Sequence, residues 1–511
     1  MPIETASKHS IETCKLASDL NPNDIYHWLL SEGYFPESYV MPPCFRVSKY
    51  KSDFKPVYSG KPPRKQLVTV HFPKTNLTDR TFGIIDPEIH HDIAYLICSN
   101  WQMILDSLFS PENAVTSYSF PLPVTKQKPG RLGELRSGRF IYEFIEMIDD
   151  DLASSAYRYT FLARADIKNF YPSIYTHSIA WALHGKQFIR EPANTYDQSI
   201  LGNRLDKLFQ NANDGCTNGV PIGPVVSDII AEVVLSAVDT LLSRRLRNEG
   251  ITCKLVRFKD DYRILTKTEA DAKIAIKTLQ SSLREYHLEL NEAKTEISVL
   301  PQKLFREWLS RYHAIKSARR RWLSWSEFRE LYLSVLEIDR EFPNTGVIDR
   351  FLADIIRKDG TLKTNLTITN LKRVASMLLM LGNLRIKAFP KIIAILEVNM
   401  QKASSDFFMP IIMEYMEEYL HILARDEDRN KYLIAWISYF LASNDLVSNL
   451  KIKPVLKDDI TRSILSNKPA LFLQSPDFVL FEGCQAAGKR VTMLQHLDIF
   501  NPPKELEEGD D

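Results

Sequence analysis

Between residues 161 and 300 the chain switches repeatedly between two hydrophobic rhythms. FLARADI, CKLVRF and RILTKT are short apolar runs that read as strands. THSIAWALHGK, SDIIAEVVLSAVDTLLSRRLRNEG and ADAKIAIKTLQSSLREYHL carry apolar residues at helical spacing instead. LNEAKTEIS then supplies a turn and a further strand. That order predicts a small mixed sheet under helices, an α+β arrangement. Upstream, QLVTVHF reads as a strand after a proline-rich loop, and residues 80–160 read as helices joined by proline-rich turns such as SYSFPLPVTKQKPG. Beyond about residue 305 strand signals fade, and segments such as NLKRVASMLLMLGNLRI and PKIIAILEVNMQKA follow one another. An all-α, helical-repeat-like region is expected there, without a clean repeat period.

Composition narrows this picture only a little. The chain of 511 residues is 44% hydrophobic and 25% charged, which suits a globular protein with several cores. Its 65 Lys and Arg nearly cancel its 64 Asp and Glu, so nucleic-acid binding would have to come from local patches. Six scattered cysteines without a C-x-x-C pair fit a reducing compartment and argue against a zinc ribbon or disulfide framework. MPIETASKHSIETCK has no apolar signal core, and no apolar run is long enough to span a bilayer. A cytoplasmic location without a membrane partner is expected.

The chemistry starts at VRFKDDYRIL, residues 256–265, where a strand-like run carries Asp260 and Asp261. FLARADIKNFYPSIY ends another strand with Asp166. Two such strands side by side would bring Asp166 against Asp260, and carboxylates that close repel unless divalent cations bridge them. Mg2+ favours such hard oxygen ligands, commonly one or two carboxylates plus phosphates. In-line phosphoryl transfer needs that arrangement. Between the strands lies TNGVPIGPVVSDIIAE, a Gly/Pro loop opening into a helix, in which Gly219, Gly223 and Pro224 allow close backbone approach to a planar ligand. Each aspartate alone would read as a turn residue; the ordered combination is far more specific.

On these motifs the chain resembles the reverse transcriptases over about residues 80–300. ADIKNFYPSIY is similar to their first catalytic motif, GVPIGPVVSDIIAE to the template- and nucleotide-contacting loop and helix, FKDD to the metal hairpin and LNEAKTEI to the lysine-bearing motif. The doublet departs from the usual pattern, with Phe258–Lys259 where Tyr and a small or apolar residue are common. YPSIYTHSIAWALHGK and GPVVSDIIAE resemble, more narrowly, the abortive-infection (AbiK-like) and defence-associated reverse transcriptases, which also carry helical-repeat C-terminal domains. The resemblance implies an N-terminal extension (1–75), fingers and palm (76–304), a helical domain (305–500) and a disordered acidic tail (501–511). It implies two Mg2+ ions, with Mn2+ as an alternative, held by Asp166, Asp260 and the Ile167 carbonyl, with Asp261 as the supporting carboxylate. Tyr171 would exclude a 2′-hydroxyl, Arg136 and Arg139 would grip the triphosphate of a dNTP beside Gly223 and Pro224, and Lys294 would protonate the leaving pyrophosphate or simply sit on a polar turn.

The same resemblance implies anti-phage defence and untemplated DNA synthesis primed from a protein side chain in a homo-oligomer, giving single-stranded DNA attached to the protein. Tyr26, Tyr34 and Tyr39 fall in a stretch that reads as mobile, and none stands out as the primer. A templated enzyme copying an RNA, gripped by Arg319, Arg320 and Arg321 among Trp322 and Trp325, is the main alternative. A catalytically silent helical scaffold that senses a phage or host trigger is the third. GCQAAGKR at 483–490 nearly matches a phosphate-binding loop, but Arg490 stands where a hydroxyl should be. His90–His91–Asp92 reads as core or surface, since adjacent histidines do not converge on one face.

Overall fold

The computed structural model describes residues 8–47, 53–75, 78–126, 128–133, 138–315, 322–364, 367–402, 407–451, 455–468, 471–472, 478–484 and 492–497. Side chains of 138–144 are outside that description. So are Arg136, Arg139 as a side chain, Arg319–Arg321, most of the 483–490 loop and the acidic tail.

Among the described residues, seven strands form two sheets. β1 (Val68–Pro73) and β2 (Asp79–Ile84) make an antiparallel hairpin, and β3 (Val115–Ser117), β4 (Phe161–Asp166), β5 (Cys253–Phe258), β6 (Asp261–Thr266) and β7 (Glu296–Val299) make the main sheet. Its order is β3-β5-β6-β4-β7, with β3 parallel to β5 and every other pair antiparallel. The mixed sheet is therefore as expected, while β2 and β3 fall within 80–160, where the sequence suggested helices and turns. β3 has only three residues, too short a run to show alternation.

Strand alternation decides what each face carries. Ala163 and Ala165 of β4, Tyr262 and Ile264 of β6, and Cys253 and Leu255 of β5 belong to one large core built on the helix Val225–Asn248. Leu162, Val256 and Leu265 alternate onto the opposite face, where they share a smaller core with Tyr118, Ile148, Leu152 and Leu304. Asp166 and Asp261 are in step with that second set. The described residues after 305 are largely helical, and their core also takes in Tyr34, Phe35, Phe45, Phe72 and Phe82. The N-terminal segment and the first hairpin thus pack with the distant helices.

Candidate active site at the β5–β6 hairpin

The register of β4 against β6 sets Asp166 directly opposite Asp261. β5 and β6 are joined by the two residues Lys259 and Asp260, since Phe258 pairs with Asp261. So short a turn needs a positive φ at a central residue, and here Lys259 takes it, at 50°. The Asp260 carbonyl accepts the Ile167 amide at 3.2 Å, which ties the hairpin tip to the end of β4. One bridge further on pairs Ile167 with Leu290, and its bonds use the Lys168 amide and the Asp166 carbonyl, leaving the Ile167 carbonyl outside that ladder.

Three carboxylates therefore share one end of the sheet, and the electrostatics register it. Burial of the Asp261 carboxyl, then the charges of Asp260 and Asp166, push it up to about 7, although the residue as a whole stays open to solvent. Asp260 is raised too, first by burial and then by Asp166. Lys294, on the turn Glu292–Lys294, brings its ammonium to 2.8 Å from Asp166, and Asn291 Nδ2 donates to the other oxygen at 3.2 Å. Its hydrogen bond to Asp166 holds the Lys294 amine above its ordinary range. Among the described residues no three His, Cys, Asp or Glu side chains close into a ready-made metal cage. Two facing carboxylates that repel each other are nonetheless the donor set Mg2+ takes when substrate phosphates complete its shell.

The hairpin rests on a buried ionic network that the sequence reading missed. Arg257 points to the helix side of β5, where its guanidinium donates to both oxygens of Glu232 at 2.8 and 3.0 Å and to Asp239 at 2.8 Å. A fourth bond, at 3.0 Å, reaches the Lys259 carbonyl at the turn itself. Tyr262 of β6 donates to the other Asp239 oxygen at 2.6 Å. Burial opposes the Arg257 charge, but Asp239 and then Glu232 outweigh it and hold the guanidinium well above its ordinary value. Burial pulls Asp239 upward, against the pairing. The bidentate geometry and an arginine's inability to shed its proton favour the charged pair. A signal did exist in the sequence: Glu232 and Asp239 stand two turns apart on one face of an otherwise apolar helix.

The Gly/Pro loop closes the other side. Gly219 and Gly223 have φ of 91° and 129°, and a Cβ on Gly223 would meet Pro36 at 2.9 Å and Phe82 at 3.3 Å. The close approach that Gly223 permits is thus by the chain's own N-terminal segment. Tyr171 follows the left-handed turn residue Asn169 and donates to Asp228 at 2.5 Å, in the first turn of the helix that begins after Pro224. That same N-terminal segment is packed, which corrects the expectation of mobility. Tyr26 is buried with its hydroxyl on His91 and the Asp53 carbonyl, and Tyr34 is buried with its hydroxyl on the Ile85 carbonyl. Tyr39 differs: it is half-buried, and its hydroxyl donates to Glu37, whose other oxygen lies 3.7 Å from the Lys259 ammonium. His90, His91 and Asp92 are all core residues. Residues 478–482 form no strand, and the Gly483–Cys484 turn is held by Asn467, whose side-chain oxygen accepts the Cys484 amide at 2.6 Å.

Comparison with known proteins agrees with the motif reading. Residues 116–326 match the family model for reverse transcriptase (RNA-dependent DNA polymerase). No curated protein matches. Similar solved structures include apo telomerase from Candida tropicalis truncated of its C-terminal domain, 14% identical with a TM-score of 0.31 over 48% of this chain and 52% of that one. Full apo telomerase from Candida tropicalis is 12% identical, with a TM-score of 0.32 over 76% of this chain and 71% of that one. Telomerase from Candida albicans in complex with a telomeric RNA fragment is 11% identical, with a TM-score of 0.30 over 79% and 64%. This chain spans about half the length of the first of these, and scores so low carry no weight beside the family match. Residues 116–326 thus match a reverse-transcriptase domain, within a longer chain whose described C-terminal residues are largely helical.

Proposed function

We propose that the chain is a DNA polymerase that adds deoxynucleotides by two-metal phosphoryl transfer, without a template and from its own tyrosine. The observation that carries the polymerase reading is the register that sets Asp166 opposite Asp261 with Asp260 in the adjoining turn. Asp166, Asp260 and the Ile167 carbonyl would hold two Mg2+ ions, which supply charge neutralisation at the attacking and leaving oxygens. Asp261 supports them by its charge. Lys294, kept protonated by Asp166, would pass a proton toward departing pyrophosphate. Tyr171, braced by Asp228, would lie under the sugar and exclude a 2′-hydroxyl, which favours deoxynucleotides. Arg136 and Arg139 would grip the triphosphate beside Gly223 and Pro224.

Priming from the chain is supported by Tyr39. Its hydroxyl proton is already directed at the Glu37 carboxylate, a base beside the hairpin. Attack of that oxygen on an α-phosphorus would form the Tyr39–nucleotide ester, release pyrophosphate and leave the proton on Glu37. A role in abortive infection, a homo-oligomeric state and a cytoplasmic location belong to the same reading, on the strength of the motif resemblance alone.

The test is direct. Purified protein is incubated with Mg2+ and each labelled dNTP, without template or primer, and run on a denaturing gel before and after protease. Label that stays with the protein, and is lost on Asp260→Ala and on Tyr39→Phe, supports the whole reading. Label lost on Asp260→Ala but kept on Tyr39→Phe moves the primer elsewhere. A second reading, templated copying of an RNA, is favoured by a cation–aromatic surface in the helical region, where Arg357 lies 4.0 Å over exposed Trp322 and Arg373 lies 5.4 Å from Trp325. Incorporation only when RNA and a primer are supplied would establish it.

A further inference from the structure

Away from the carboxylates lies a cavity of about 860 Å3 that the polymerase chemistry does not use. One wall is the strap Pro56–Lys61, and the others are the helices Pro87–Ser99, His177–His184, Lys186–Arg190 and Leu201–Ala212. None of Asp166, Asp260, Asp261 and Lys294 lines it. The strap is fastened across the last helix, where Asn211 donates to the Pro62 carbonyl at 2.6 Å and the Lys65 amide to the Asn211 carbonyl at 2.8 Å.

The lining has two parts. Leu96, Ala180, Trp181 and Ile189 make an apolar floor, with exposed Tyr196 at the mouth. Around it stand the cations Lys61, Arg190, Arg204 and Lys207. Two carboxylates also reach the cavity, but both are occupied by other donors. Asp92 accepts the Val57 and Tyr58 amides at 2.6 and 3.0 Å, and Asp206 takes His177 and, at 2.8 Å, Gln210. Lys207 instead donates to the neutral Gln210 amide at 3.2 Å. Burial, and then the like charges of Lys61 and Arg64, make its ammonium costly to keep, with Asp206 only partly offsetting them. Trp181 already draws Lys186 to 4.7 Å and Arg190 to 5.4 Å of its ring. The volume is that of a small-molecule site and too small for a duplex.

We propose that this cavity is a second nucleotide site, taking one nucleoside phosphate with its base over the apolar floor and Tyr196 and its phosphates between Lys61, Arg204 and Lys207. A flat apolar surface ringed by cations suits a base joined to phosphate, and an anion there would relieve the mutual repulsion of Lys61, Arg64 and Lys207. The ligand is a free nucleotide or the terminal nucleotide of a strand. Either would touch the helix His177–His184, which follows the end of β4 after residues 167–176, a one-turn helix and then a turn. That turn is pinned to the Gly/Pro loop by the Thr176 amide on the Thr217 carbonyl at 2.9 Å.

The experiment uses the full chain with Asp260→Ala and EDTA, so that metal-dependent binding at the carboxylates is silent. Equilibrium dialysis is run with labelled dATP and, separately, with a labelled 5′-phosphorylated trinucleotide. One equivalent of either ligand is expected to bind, and Lys61→Glu, at the exposed rim of the strap, should weaken it by at least about tenfold. Tyr196→Ala, at an exposed position, should weaken it as well, through the lost ring. Retention of dATP identifies a free-nucleotide site, and retention of the trinucleotide alone identifies a strand end. Absence of binding by both ligands, or binding that Lys61→Glu and Tyr196→Ala leave unchanged, overturns the proposal. Thermal unfolding of both variants confirms that the fold is kept, and the outcome does not depend on whether the carboxylates catalyse anything.

Discussion

Asp261 is where pH enters. Its carboxyl is held near 7 by burial and by Asp260 and Asp166, so below that pH it keeps a proton that the unfolded chain would already have lost. A divalent cation must displace that proton. Mg2+ affinity is therefore expected to rise as pH rises toward 7 and to level off above it, by up to about tenfold per pH unit on the steep limb if one proton is released. Calorimetric titration with Mg2+ at pH 6 and pH 8, in two buffers of different ionisation enthalpy, reads both affinity and proton release. Affinity independent of pH, with no proton released, would remove Asp261 from the site. The linkage sign for the metal-free protein follows from the same shift. A carboxyl raised in the folded state makes stability fall as pH climbs from the unfolded value to about 7. Lys294 lies on the other side of this balance, because its ammonium already neutralises Asp166. Lys294→Met should leave folding intact, raise Mg2+ affinity through the lost competitor and lower the rate if the amine serves as the acid. A rate for Lys294→Met equal to that of the unaltered protein would restrict Lys294 to the polar turn.

At the scale of the element, what matters is how a hairpin with a lysine at φ 50° stays in one place. A non-glycine residue there is strained by about 1–3 kcal/mol, and such strain persists only where surrounding structure over-determines it. Arg257 supplies that restraint from beneath, gripping the Lys259 carbonyl while anchored to Glu232 and Asp239. Arg257→Met should cost about 3–5 kcal/mol, because it strands two buried carboxylates. Urea unfolding measures it, and a loss below about 1 kcal/mol would mean the network is not restraining anything. The triple change Arg257→Met, Glu232→Gln, Asp239→Asn should recover much of that stability but not the turn geometry, so activity should stay low while the midpoint returns. This network also shows where the sequence stops being legible. CKLVRF and RILTKT announce strands by their apolar runs, and the ends of FLARADI and VRFKDD announce carboxylates, because both signals are local. Which residue of β4 faces which of β6 is a matter of register, and register is set by packing between segments a hundred residues apart. Arg257 was invisible for a related reason: a charge inside an apolar strand has meaning only once its partners on the helix Val225–Asn248 are beside it. β3, three residues long and parallel to β5, had no pattern to show.

At the scale of the molecule, the N-terminal segment ties the carboxylate-bearing hairpin to the C-terminal helices. Residues 33–45 run past Gly223 and Lys259 and continue into the core of the C-terminal helices. There Tyr432 donates to the Tyr39 carbonyl at 2.8 Å, His496 contacts the Ser38 carbonyl at 2.9 Å and the Glu482 amide bonds the Cys44 carbonyl at 3.0 Å. Burial, with the Cys484 thiol in contact, pushes the Cys44 thiol well up, so Cys44 rests as an inert core residue with Cys484 buried beside it. A helical region attached only through a linker would be dispensable for the stability of the polymerase domain. Here its removal would bare Tyr34, Phe35, Phe45, Phe72 and Phe82 at once, all of them buried. A chain ending at residue 304 is therefore expected to lose cooperative unfolding in the N-terminal segment and the β1–β2 hairpin, bind a hydrophobic dye and aggregate, while the β4–β5–β6 sheet keeps its own core. Hydrogen exchange distinguishes the two parts: protection should vanish at 33–45 and 68–84 and survive at 161–166 and 253–266. Uniform protection in the shortened chain would mean that the segment stands without the helices. If protection is lost as expected, Glu37 loses its place beside Lys259, and Tyr39 loses its acceptor there with it. Self-labelling by dNTPs should then fail in the shortened chain even though Asp166, Asp260 and Asp261 are untouched, which would make the helical region part of the priming apparatus.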